Sequence, residues 1–381
     1  MMRRLVLVVG LTTAMAGGPI LPLALAAGAA PAAEVFDLSL SDIGLFAGFS
    51  FVIASVLSIV MSRWIDELAL PAGVITLQVL CVVSLCLPAF WPSRGTLIVG
   101  LLLAGLAMGL ANPVTNRLIV GYVRPRWRGI LVGLKQAGIP ASQLLVGTVI
   151  VPVATGVDFA KALLLGCAIT LPAMMLLFVK PIGVQEDEPA PAPSGERGHT
   201  GRLTAFSFFT GAATQAVIIY LASYAHRKAD LDATLAGALV AIVGLASLVG
   251  RPYWGHSTGR ATDVSWPMRI VVTGSVLAVG LIAAVQLTPD RLAFQTLIVA
   301  CLLLGITGAA ANAVAMAVVV RRAAPSELGR ASAQVSGAMF AGFAVGPAVS
   351  AVIVGVSGFT AVWAGAAAMY LCAGLVVRRL R

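Results

Sequence analysis

Twelve apolar runs fill this chain, each long enough to cross a hydrocarbon core, at about 5–27, 41–62, 70–91, 95–123, 129–153, 158–180, 203–224, 233–254, 267–287, 291–320, 329–355 and 358–377. A spanning helix takes about 20 residues. Twelve of them with short connections use up a chain of 381 residues and leave no space for a large soluble domain. The composition agrees: 59% of residues are apolar, 10% are charged and the mean hydropathy is +0.99. Soluble domains carry about 25% charged residues, and disordered chains pair low hydrophobicity with high net charge. The expectation is an all-α membrane protein. The first run also looks like a secretory signal, with Arg3 and Arg4 ahead of it. Gly18-Pro19-Ile20-Leu21-Pro22 late in the run argues for a retained span, where neighbouring helices satisfy the freed carbonyls.

The net charge of +10 suggests nucleic acid until the basic residues are placed. With the N-terminus in the cytosol, eighteen of the 25 Lys and Arg residues fall in cytoplasmic connections and ends and five fall outside. That asymmetry is the positive-inside signal of a multi-pass protein in a bacterial inner membrane, both termini cytoplasmic, and it removes the motive for nucleic-acid binding. The two left over, Arg117 and Lys135, lie inside apolar runs. Cys81, Cys86, Cys167, Cys301 and Cys372 all sit in apolar runs without zinc-site spacing and read as core residues, so no metal or other cofactor is expected.

The longest polar stretch, Gln185-Glu186-Asp187-Glu188 followed by Pro189, Pro191 and Pro193, reads as a cytoplasmic linker. It divides the chain into an N-terminal six-helix bundle (1–180), a linker (181–202) and a C-terminal six-helix bundle (203–381). Shifted by 200 residues, Gly105, Asn112, Pro125 and Gly129 coincide with Gly305, Asn312, Pro325 and Gly329, the mark of a duplicated unit.

Two six-helix halves joined by such a linker resemble the major facilitator superfamily, and short motifs extend the resemblance. Gly18-Pro19-Ile20-Leu21-Pro22 and Leu40-Ser41-Asp42-Ile43-Gly44 look like that family's passage from helix 1 to helix 2. Ser62-Arg63-Trp64-Ile65-Asp66-Glu67 resembles its loop between helices 2 and 3, although Ser62, Glu67 and Ala69 depart from the pattern. Gly250-Arg251-Pro252-Tyr253-Trp254-Gly255, with Gly259-Arg260, is the second-half counterpart without the acid. The resemblance implies that Arg63, Asp66, Arg251 and Arg260 are gating residues. Asn112-Pro113-Val114-Thr115-Asn116-Arg117 and Gly133-Leu134-Lys135-Gln136-Ala137-Gly138 further resemble a poorly characterised bacterial branch, to which no substrate attaches.

Ionisable groups inside a bilayer are expensive and mark functional sites. Arg117 precedes Arg124 by seven residues and Lys135 follows Arg128 by seven, so each lies about 10 Å deep at ~1.5 Å per residue. In an antiparallel pair they can converge, and there they repel unless an anion lies between them or one loses its proton, which Lys does more readily than Arg. Structural roles compete: snorkelling for the cations, interhelical hydrogen bonds for each amide. The expected substrate site comprises Asn112, Asn116, Arg117, Lys135 and Gln136, with Gln215, Tyr220 and Asn312 from the second half. Of the fifteen acids, eight fall in cytoplasmic connections and seven outside, and Asp42 alone approaches the membrane. A proton symporter with a buried carboxylate relay is therefore disfavoured, as are a cation-selective drug pump and an intramembrane enzyme, which needs positioned acids, histidines or a nucleophile. The expectation is a secondary active or facilitative transporter of a small, anionic metabolite, acting as a monomer with membrane lipids around it. An exporter of drugs or amphipathic metabolites is the alternative; its Gly-Pro signature is only approached by Gly138-Ile139-Pro140.

Overall fold

The computed structural model describes residues 2–38, 40–62, 64–179, 197–228, 231 and 233–378, and every regular element among them is helical. Among the described residues nine helices are long and apolar enough to cross a membrane. A bent pair at the start, Leu5–Gly17 and Ile20–Ala27, makes span 1. Span 2 is Leu40–Met61, span 3 Leu70–Phe90, span 4 Arg94–Tyr122, span 5 Pro125–Gly156 and span 6 Phe159–Phe178. In the second half span 7 is Arg197–Lys228, span 8 Ala233–Arg260, span 9 Ser265–Leu287 and span 10 Leu292–Arg322. The helix Leu328–Val377 turns at Gly358 (φ +74°) and supplies spans 11 and 12. Only glycine adopts that backbone without strain, so this residue sets the reversal.

Two boundaries differ from the sequence reading. Span 7 starts at Arg197, so residues 197–202 are helix where the linker was expected. A helix protruding past the hydrocarbon keeps its internal hydrogen bonds in water, and hydropathy does not register that extension. A short helix, Ala29–Phe36, follows span 1 and packs Phe36 edge-on against Phe159 of span 6, ring centres 6.0 Å apart.

Each interruption has a local cause. Span 1 bends by 54° at Gly18-Pro19. Span 4 starts with a capping box, in which Ser93 Oγ accepts from Thr96 N–H and Thr96 Oγ1 accepts from Ser93 N–H. Span 5 breaks at Ala137, before Pro140, and carries a π-turn at Val146–Ile150. Spans 4 and 10 are the most enclosed, with 72% and 67% of their apolar windows buried, and each carries one of the repeat-related asparagines at its core. The halves meet along two seams. Span 2 packs on span 11 through Phe51 against Phe340 and Phe343, and span 5 packs on span 8.

Candidate functional site

The site is built on the break in span 5. Proline has no N–H, so Pro140 leaves the carbonyl of Gln136 without its helical donor four residues on. Arg251 of span 8 fills that vacancy, its Nη1 donating to Gln136 O at 2.8 Å. The same turn buries Lys135 completely. Its Nζ donates to Asn112 Oδ1 (2.9 Å) and Thr115 Oγ1 (2.7 Å) of span 4, and the Thr115 hydroxyl passes its own proton to Ala111 O. Gln136 Nε2 donates to the same Asn112 oxygen at 2.6 Å, while its Oε1 accepts from Asn312 Nδ2 at 2.9 Å. The two repeat-related asparagines are thus joined across the interface by one glutamine. Lys135 and Arg251 are the only buried charged side chains among the described residues. No buried acid accompanies them.

On the second-half side of this network lies a cavity of about 80 Å³. Its polar lining is Arg251, Asn312, Ser207, Thr210, Thr214, Ser247 and the amides of Gln143 and Gln215, with Met339 and Phe343 among the apolar residues. Three of these side chains carry a buried polar atom with no hydrogen-bond partner: Arg251 Nε, Ser207 Oγ and Asn312 Oδ1. Buried polar groups are normally paired. Three of the twelve such atoms among the described residues surround this one cavity.

Both seams close at the arginine-rich end. Asp66 Oδ1 accepts from Gly329 N–H (2.7 Å) and Oδ2 from Arg330 N–H (2.9 Å), so the carboxylate caps the positive N-terminus of span 11. Arg117 holds the loop that carries this acid. Its guanidinium donates to the carbonyls of Ile65 (2.6 Å), Leu68 (2.7 Å) and Asp66 (3.0 Å), and its Nε lies 3.9 Å from Asp66 Oδ1. Arg321 does the same in the second half, donating to Thr258 O and Ala261 O. At the other seam Gly129 and Gly133 lie against Gly255, Gly259 and the Arg251-Pro252 backbone. A Cβ on Gly129 would come within 2.5 Å of Gly255 O. Further along the same two helices, a Cβ on Gly147 or Gly244 would meet nothing within 4 Å. Spans 5 and 8 therefore clasp at one end and part toward the other.

The structure brings together Asn112, Lys135, Gln136 and Asn312, and puts Gln215 on the cavity with Asn312. Asn116 is buried but turned elsewhere, its Nδ2 donating to Ser332 Oγ at 2.8 Å. Tyr220 is half-buried, with its hydroxyl 3.5 Å from Pro347 O. The convergence of Arg117 with Lys135 on one anion is corrected: equal depth does not fix direction around the helix axis, and Arg117 faces the loop carbonyls. Of the expected gating residues, Asp66 sits on the closed seam, Arg260 is exposed at the end of span 8 and Arg63 lies outside the described residues. Arg251 is buried beside the cavity. Sequence reasoning missed Ser207 and Ser247 as cavity residues. The spacing of Pro140 from Gln136 was the available signal that a bare carbonyl waited there.

Twelve spans in two repeated halves, a polar cluster at their interface and a seam closed at one end define a multi-pass membrane protein with a transporter's fold. A sequence model of the Major Facilitator Superfamily matches residues 5–294 and 203–381, and the chain belongs to that family. At the level of sequence no curated protein matches it. Among solved structures it is similar to the human organic anion transporter MFSD10 (14% identity, 98% of both chains, TM-score 0.74). It is also similar to a bacterial homologue of the iron transporter ferroportin in an outward-facing state (13% identity, 97% of this chain and 99% of the other, TM-score 0.70). The E. coli fucose:proton symporter FucP aligns at 15% identity over 97% of this chain and 98% of its own, with a TM-score of 0.69.

Proposed function

We propose that this protein carries a small organic anion across a bacterial inner membrane by alternating access, as a monomer with both termini in the cytosol. The observation that carries the reading is the charge balance of the interior: Lys135 and Arg251 are both buried, linked through the break in span 5, with no buried acid among the described residues. Carbonyl and amide dipoles hold the two cations, and an anion in the cavity adds a countercharge at the Arg251 guanidinium. Arg251 takes over the part first expected of Arg117, and Lys135 remains the second charge. The small cavity and its hydroxyl and amide lining favour a compact polar solute over an amphipathic drug. Besides the buried Arg251, seventeen of the 25 basic residues are assigned to one side, so the closed end is cytoplasmic and the conformation faces outward. Exchange of one anion for another, or downhill movement, needs no buried proton carrier.

The test is binding and uptake of short organic anions by the purified protein, before and after reconstitution, with Arg251→Gln alongside. Truncating one partner of a buried charge pair costs about 2–5 kcal/mol, so affinity should fall by roughly 30-fold or more while the variant still unfolds cooperatively. Unchanged anion affinity in Arg251→Gln, or stabilisation only by lipophilic cations, would move the reading to the exporter of drugs or amphipathic metabolites.

A further inference from the structure

The amides that cross the interface have a direction, and a charge sets it. Lys135 Nζ has only protons to give, so the Asn112 atom 2.9 Å from it is the oxygen. That oxygen accepts from Gln136 Nε2 as well, which turns Gln136 Oε1 toward Asn312. Asn312 must therefore present Nδ2 to the glutamine, and its own Oδ1 is left as a buried acceptor without a partner on a cavity-lining side chain. An ammonium in the first half thus dictates that the second half offers an acceptor to the ligand.

Resting on the anion reading above, we infer that the substrate is a short hydroxycarboxylate. Its carboxylate takes the unpartnered Nε and the fork of Arg251, and its hydroxyl donates to Asn312 Oδ1. Ser207 Oγ, also unpartnered, can serve either group. A cavity of about 80 Å³ suits a small acid. A matched keto acid sets a carbonyl oxygen against Asn312 Oδ1 and leaves both without a proton. An amino acid brings an ammonium to a region that already holds two cations and no acid. Lys135 acts here as a positioning residue: it reaches the ligand through Asn112, Gln136 and Asn312 without touching it.

Lactate, pyruvate and propionate form a three-carbon probe set for purified wild-type protein and variants, read as dissociation constants by calorimetry. Wild type should bind lactate at least about tenfold more tightly than the other two, the effect of leaving a buried acceptor unpaired. Lys135→Met frees the amides to reverse, so the lactate-to-pyruvate ratio should fall to within about twofold. Asn312→Ala removes the acceptor itself and should do the same, which keeps the test decisive if the lysine variant does not fold. Arg251→Gln should weaken lactate, pyruvate and propionate alike. Equal affinity for lactate and pyruvate in wild type, or a full lactate preference in both Lys135→Met and Asn312→Ala, overturns the hydroxycarboxylate assignment and leaves the anion reading standing. No binding of any of the three probes, with Arg251→Gln behaving as wild type, overturns both.

Discussion

Gly133→Leu is expected to abolish transport in a protein that still folds. A Cβ at this position would lie 2.7 Å from Pro252 Cα and against the Arg251 carbonyl, so the side chain meets backbone that cannot rotate away. Overpacking a close contact costs about 1–3 kcal/mol when side chains can yield, and here they cannot. Spans 5 and 8 must separate at the arginine-rich end. The added side chain meets only the seam between spans 5 and 8, so detergent-solubilised protein should unfold near the wild-type temperature. Separation would also draw Arg251 away from Gln136 O and loosen the polar site. The direct readout is Ser332→Cys, a position fully buried between the halves: a membrane-impermeant thiol reagent should label it in the Gly133→Leu background and leave it largely unlabelled without that change. Gly147→Ala, where the added atom meets nothing within 4 Å, should transport like wild type. Normal uptake by Gly133→Leu would show that the glycine seam need not close during the cycle.

The second large effect is expected at the other seam. Asp66→Asn keeps the shape of the side chain but loses its charge and one of two acceptors for the span 11 N–H groups, now at 2.7 and 2.9 Å. A hydrogen bond to a charged group contributes about 1.5–3 kcal/mol, and the helix dipole about 0.3–1 kcal/mol more. A loss of about 2–4 kcal/mol shifts the balance toward opening of the arginine-rich end by roughly 30- to 1,000-fold. Labelling of Ser332→Cys should rise without ligand, while anion affinity at Arg251 changes far less. Labelling that stays at the wild-type level in Asp66→Asn would mean that this acid does not hold the seam.

Much of this architecture was legible in the residues, and the failures share a cause. Apolar runs locate helices because hydrocarbon imposes a length and a polarity, and the 200-residue shift paired Asn112 with Asn312 before any coordinates did. Hydropathy measures depth and says nothing of azimuth. Arg117 and Lys135 are expected at similar depth, yet one faces a loop and the other the interface. Arg251 was misjudged for a related reason. The apolar run ends at 254, so the arginine near that limit looked superficial, whereas span 8 continues to Arg260 and carries Arg251 inside. Cavity residues such as Ser207 and Ser247 are ordinary helical hydroxyls in sequence, and only the packing of spans 7, 8 and 10 gathers them.

The two seams are fastened by unlike means: across one, Asp66 accepts from the first N–H groups of span 11, and along the other, glycines lie against backbone. A door with a bolt on one edge and a tight fit along the other does not open all at once. Ions that compete for the helix end weaken the bolt and leave the fitted edge untouched, whereas warmth loosens both. The halves should therefore peel, starting where span 2 meets span 11 and ending at spans 5 and 8, and the solute would leave along the flank that yields first.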